Sequence, residues 1–251
     1  MRPIATIPEV GIFDAASPAL TSIDCLIDVL PSTLRLWLWG MLGGALSVGV
    51  YAWVSPQRRL RVIGRMAVRS QRRLDAYDGD LASAWPLLGR HLRLALARVG
   101  WALGPTALSA LPVLFLYAWA SNTFAYAWPE AGRAVLVQAQ PAAYSAAWGG
   151  QPGGEEKAAS IRLSDGAGRS LGTVTVNAPV PAVHKRQWWN GLFGNPAGYL
   201  DAKSPVEALR LQLPARDYVG VGPAWMRGWE FSFLLALLVS ALGLRTALRL
   251  Q

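Results

Sequence analysis

Five arginines, Arg58, Arg61, Arg65, Arg69 and Arg72, recur at intervals of three and four residues within SPQRRLRVIGRMAVRSQRRLDAY. On an α-helix this spacing stacks them on one face and sets Leu60, Ile63, Ala67 and Leu74 on the other. The chemistry open to such a face is electrostatic: pairing with anionic lipid headgroups, roughly 1 kcal/mol for each arginine near the surface. Covalent chemistry has little to work with. The single cysteine, Cys25, excludes an internal disulfide and a cysteine-cluster metal site, and His91 and His184 are the only histidines. No nucleophile and base stand at a recognisable spacing. No catalytic residue, metal or cofactor is expected, and an enzyme reading survives only if an outer domain binds a substrate.

The elements that must position the arginines are apolar. Hydrophobic residues make up 53% of the 251 and charged residues 16%, and mean hydropathy is positive, which is membrane-protein usage. The net charge of +9 is concentrated. Ser55 to Arg98 holds ten arginines against three acids, a net +7, so membrane orientation explains the basic balance better than nucleic acid does. That stretch reads as a basic helical hairpin bent at Asp78-Gly79-Asp80, with Asp80 as a helix cap. Its second half repeats helical spacing through Leu81, Trp85, Leu88, Leu92 and Ala95, a face suited to packing on the first half.

Three spans bracket it. Leu34 to Val54 has one charge, Arg35, at its end, with Trp37 and Trp39 at one interface and Tyr51 and Trp53 at the other. Gly40 and Gly44 in it, and Gly100 and Gly104 in the second span, have the small-residue spacing that admits a neighbouring helix. The second span, 99–121, carries Pro105 and Pro112 and is expected to be kinked, with Thr106 and Ser109 close enough to satisfy freed carbonyls. Arg98 at its end is explained by snorkelling. The third span and tail, 228–251, begin beside Trp225 and Trp229 and end at Arg245 and Arg249, with Glu230 needing a partner such as Arg227 or water.

Residues 1–33 contain Glu9, Asp14, Asp24 and Asp28 against Arg2, and lack an apolar core of signal-peptide length, so no cleavage is expected. From Ser17-Pro18, helical spacing through Leu20, Ile23, Ile27 and Leu30 reads either as an amphipathic helix on the outer surface or as a loosely ordered tail. Between 122 and 227 β-type alternation replaces helical spacing. Strands are expected at 134–140, 159–164, 171–177 and 206–213, with a turn at Asp165-Gly166-Ala167-Gly168 and a mobile loop at 149–154. This suits an extracytoplasmic, sandwich-like all-β domain. Trp188, Trp189 and Phe193 cluster beside Lys185 and Arg186, as core, as a headgroup contact or as a partner patch. The fold class is therefore α-helical membrane protein, with three transmembrane helices, a cytoplasmic helical hairpin and an inserted β domain. Arginine counts put hairpin and C-terminus in the cytoplasm of a bacterial inner membrane, leaving the N-terminus and β domain periplasmic.

This order of parts resembles the Oxa and YidC insertase superfamily, nearest to its three-span branch of archaeal YidC-like proteins and the third subunit of the ER membrane complex. RSQRRLDAYDGD running into GPTALSALPVLFLYAW is similar to that family's hairpin, Gly-Asp turn and second span. The resemblance covers residues 34–121, and 228–251 more weakly. It implies a hydrophilic groove through which a client helix or polar tail enters a thinned bilayer, without covalent catalysis. The family usually places a positive residue in that groove. The matching candidates are Arg98 and Arg245 on the cytoplasmic side and Arg35 near the outer end. The connection between spans two and three is short in minimal members, whereas here it holds the β domain.

Two functions from different classes are expected. One is an insertase-like membrane chaperone whose partners are the bilayer and a membrane-protein client; capture of a ribosome or nascent chain by the arginine face is an additional hypothesis. The alternative is a non-catalytic subunit of a larger bacterial membrane complex.

Overall fold

The computed structural model describes residues 3–4, 11–130, 132–150 and 158–249. In chain order the elements are β1 (Pro3–Ile4), α1 (Ser17–Cys25), α2 (Ser32–Val54), α3 (Gln57–Asp75), α4 (Leu81–Phe124), β2 (Val137–Gln140), β3 (Tyr144–Trp148), β4 (Ala159–Asp165), β5 (Ser170–Val176), β6 (Ala182–His184), β7 (Ala208–Leu211), α5 (Ala224–Arg227) and α6 (Trp229–Ala247). Short 3-10 turns occupy Ile12–Asp14 and Trp188–Gly191. Glu9 and residues 151–154 of the expected loop lie outside the described residues.

Among the described residues three helices are long and apolar enough to cross a membrane: Ser32–Val54, Ala84–Phe124 and Trp229–Ala247. At about 1.5 Å per residue each exceeds or approaches the ~30 Å hydrocarbon thickness. The second differs from expectation in one respect. The latter half of the basic hairpin and the second span form a single 44-residue helix that runs through Pro86, Pro105 and Pro112.

The chain divides into two compact units, Met1–Trp39 with Leu114–Leu234, and Gly40–Val113 with Leu235–Gln251. In the first, two antiparallel three-stranded sheets, β3-β4-β5 and β2-β7-β6, contribute to one apolar core, and β1 adds a two-residue parallel edge beside β5. Inward positions alternate along β2 to β7, as the period of two requires. Ile161, Leu163, Val174, Val176, Val183 and Leu209 are fully buried. The Asp165 turn has a local cause: its Oδ1 accepts from the Ala167 and Arg169 amides at 3.0 and 2.8 Å, and Gly168 takes φ +78°. Strands β3 and β6 escape a pattern search because their alanines and short length mute the alternation.

The N-terminal segment is tied down within this unit. Phe13 donates its amide to the Leu192 carbonyl at 3.0 Å and stacks on Phe193 at 5.0 Å. A Cβ on Gly11 would collide with the Gly194 amide and meet the Leu192 oxygen at 2.6 Å, so only glycine passes here. Helix α1 forms where Ser17-Pro18 predicts it, but its inward residue is polar. Asp24 is 3% exposed while Ile23, on the expected apolar stripe, is 50% exposed. The partners of Asp24, described below, are the reason.

In the second unit α3 buries Leu60 and half-buries Ile63, Ala67 and Leu74, the stripe opposite the arginines. Helix α4 turns most of the expected face outward. Trp85, Leu88 and Leu92 are exposed and Ala95 is half-buried, Leu81's side chain lying outside the described residues, whereas Ala84 is buried and Leu87, His91 and Leu94 are half-buried. Both sets satisfy spacings of three and four, so the leucine-rich sequence alone leaves the register of the face free by one residue.

Candidate functional site

The described residues contain no cluster of three or more metal-binding side chains, and the free Cys25 is exposed. What the second unit holds instead is an accumulation of guanidinium groups. Arg58, Arg61, Arg65, Arg69 and Arg72 of α3 line one cavity of about 1030 Å³, together with Arg98 of α4 and Arg245 of α6. The periodicity places the five on one side of α3, and the fold brings two more, distant in sequence, to the same space. Arg61 Nε donates to the Gln57 carbonyl at 3.3 Å and Arg65 Nε to the Arg61 carbonyl at 3.4 Å. Arg59, one residue off the row, leaves the cavity and stacks over Trp101, 4.7 Å from its ring centre.

Arg245 also borders a second cavity of about 350 Å³ between α2, α4 and α6. Ser47 and Tyr51, one turn apart on α2, face Thr106 and Ser109 on α4, and Ala241 and Leu242 complete the wall. Ser109 is buried and donates its hydroxyl to the Thr106 carbonyl at 2.9 Å. Four hydroxyls and a guanidinium thus meet in one space between these helices. Of these, sequence reasoning singled out Thr106, Ser109 and Arg245, and Tyr51 only as an interface marker; Ser47 was detectable only as a polar residue one turn before it in an apolar span.

The helices around this notch are held by close contact. Gly44 lies against α6: a Cβ there would collide with the Leu237 carbonyl and sit 3.0 Å from Ala241 N and Ser240 Cβ. Ser240 donates to the Met41 carbonyl at 2.8 Å. Gly40 is buried. Gly100 and Gly104 face the other way, with no atom within 4 Å of an added Cβ.

The first unit holds the third groove candidate, in another role. Arg35 forms an ion pair with Asp24, its Nε also bonding Oδ1 at 3.1 Å, and its guanidinium lies 5.7 Å from the Phe124 ring centre. Trp39 Nε1 donates to the same carboxylate at 2.9 Å. Trp39 is 3% exposed and packs edge-on against Trp119 at 4.7 Å, so it is a core residue rather than part of an interfacial belt. Trp119 in turn donates to Thr21 at 3.0 Å. Glu230 is met by the Tyr117 hydroxyl at 3.5 Å, while Arg227 turns to the Gly222 carbonyl.

Asp14 belongs to a separate buried group. Asn122 Nδ2 donates to it at 3.2 Å and the Gly194 amide at 2.5 Å, beside a cavity of about 460 Å³ bordered by Ser17, Thr21 and Trp119. Burial pushes its carboxyl above the ordinary aspartate value, and these donors oppose the shift. Burial likewise raises the Tyr218 phenol, whose hydroxyl donates to the Phe124 carbonyl at 2.9 Å. In the aromatic patch Trp188 is 88% exposed, Trp189 tilts against His184 at 5.4 Å, and Phe193 is engaged by Phe13.

No protein family, curated protein or solved structure matches this chain.

Proposed function

We propose that the chain is an insertase-like membrane chaperone of the inner membrane, receiving a client helix or polar tail through the notch between α2, α4 and α6. The observation that carries this reading is the hydroxyl-lined cavity of Ser47, Tyr51, Thr106 and Ser109 with Arg245 at its edge. An unpaired polar group in hydrocarbon costs several kcal/mol, and hydroxyls that exchange hydrogen bonds with passing peptide lower that cost without covalent chemistry. Arg245 borders this notch and takes the part of the positive groove residue that the Oxa and YidC resemblance implies, while Arg98 lines the neighbouring arginine cavity. In this reading the hairpin and C-terminus are cytoplasmic, and the sandwich-like β domain and N-terminus periplasmic. Arg98→Ala with Arg245→Ala in reconstituted vesicles is expected to impair client insertion; unchanged insertion contradicts the proposal.

A second reading, a structural subunit of a larger membrane complex, is favoured by one observation. Gly100 and Gly104 leave open space on α4, a surface a partner helix can approach closely. Purification in mild detergent separates the two: a stoichiometric complex with other subunits supports the second reading, an isolated chain with insertion activity the first.

A further inference from the structure

The arginine cavity exceeds what a positive-inside bias requires, because its charges come from three helices and converge on one space. We propose that it is a binding site for an anion carrying two phosphates, and that the source is the headgroup of a diphosphatidylglycerol-type phospholipid. The proposal stands apart from the insertion reading, since it needs no client.

Four observations support it. Among the described residues no ion pair involves a cavity arginine, so no carboxylate neutralises them by direct contact. Guanidinium forks match phosphate oxygens in pairs, and like charges facing one cavity are relieved by a multivalent anion. Two of the three helices that line the cavity do so beside the end of an apolar helix. Arg245 is in the last turn of α6, and α3 begins at Gln57, directly after α2 ends at Val54. Basic pockets beside span ends are where anionic headgroups bind. From Arg58 to Arg72 the row extends about 21 Å at about 1.5 Å per residue, longer than one phosphate needs. Finally, the remaining wall is Val62, Gly64 and Val68, which suits a glycerol backbone. Among the described residues no aromatic ring lines the space, and single-stranded nucleic acid is ordinarily held by base stacking on aromatic rings.

The test uses the purified full chain in neutral detergent, with retained lipid read by native mass spectrometry. The wild type is expected to retain diphosphatidylglycerol about tenfold over phosphatidylglycerol, and phosphatidylcholine least. Arg98→Gln with Arg245→Gln is expected to reduce that retention about fivefold or more, while Arg90→Gln with Arg93→Gln, the same charge loss off the cavity, changes it less than about twofold. Arg98→Lys with Arg245→Lys, which keeps the charge and loses the fork, falls between them. Circular dichroism checks that each variant is folded. Displacement by micromolar inorganic pyrophosphate, without preference among lipids, supports the site with a soluble diphosphate as its source. Equal losses in the Arg98/Arg245 and Arg90/Arg93 glutamine variants, equal retention of phosphatidylcholine with no displacement by pyrophosphate, or tighter binding of single-stranded RNA than of either phosphate-bearing ligand overturns the proposal.

Discussion

Asp24 of α1 and Arg35 of α2 form a partly buried ion pair, and the same carboxylate accepts the Trp39 indole. The pair fixes an acid on the inward side of α1 and gives Arg35 an acidic partner. The side chains are 5% and 18% exposed, so each charge depends on the other for solvation.

Asp24→Asn is therefore expected to destabilise the folded chain. Removing one partner of a buried pair costs about 3–5 kcal/mol, and the partial exposure of Arg35 brings the expectation to about 1–3 kcal/mol. Chemical denaturation in detergent measures it. Arg35→Gln added to Asp24→Asn is expected to cost less than the sum of the single changes.

Asp14 gives a pH dependence of opposite sign to a surface carboxylate. Its folded-state pKa is raised above the ordinary 3.8 by burial, so the native chain holds the proton more tightly than the unfolded chain does. Its contribution to stability is complete below that ordinary value and is lost as pH rises through the raised pKa. A melting-temperature series from about pH 3.5 to pH 7 is expected to fall less steeply in Asp14→Asn than in the wild type. Identical slopes contradict this assignment.

Gly44 and Gly100 share the spacing signature of helix contact but meet different surroundings. Gly44→Leu is expected to force α2 from α6 and cost about 1–3 kcal/mol, as overpacking does. Gly100→Leu, with open space beside it, is expected to stay within about 0.5 kcal/mol of the wild type in the isolated chain. Thermal denaturation of the two variants side by side distinguishes the positions.

The exposed Trp188 offers a probe of the aromatic patch. If it reaches outer headgroups, Trp188→Phe removes the part of the fluorescence that lipids brominated near the headgroup quench, without changing stability by more than about 0.5 kcal/mol. Unaltered quenching leaves the patch to a partner contact.

Long-period features were legible in the sequence and pairings were not. The three apolar helices, the arginine face of α3 and four of the strands follow from local periodicity, which backbone geometry enforces residue by residue. The partners of Asp24, Asp14 and Glu230 lie 11, 180 and 113 residues away, where no local rule reaches. The misassigned face of α4 has another cause: its leucines satisfy two registers equally, and packing chooses between them. Arg98 and Arg245 could be singled out by their span-end positions, but only the fold brings them to one cavity, and only the fold joins Ser47 and Tyr51 to Thr106 and Ser109.

The most direct test of the central claim is photocrosslinking from inside the notch during client insertion. A photoreactive amino acid replaces Ser47 in one preparation and Leu42, exposed on the same helix, in another. Adducts are expected between the Ser47 probe and the polar segment of an inserting client, absent once insertion is complete, with the Leu42 probe giving mainly lipid adducts. Only lipid adducts from Ser47, while the client still inserts, contradict it.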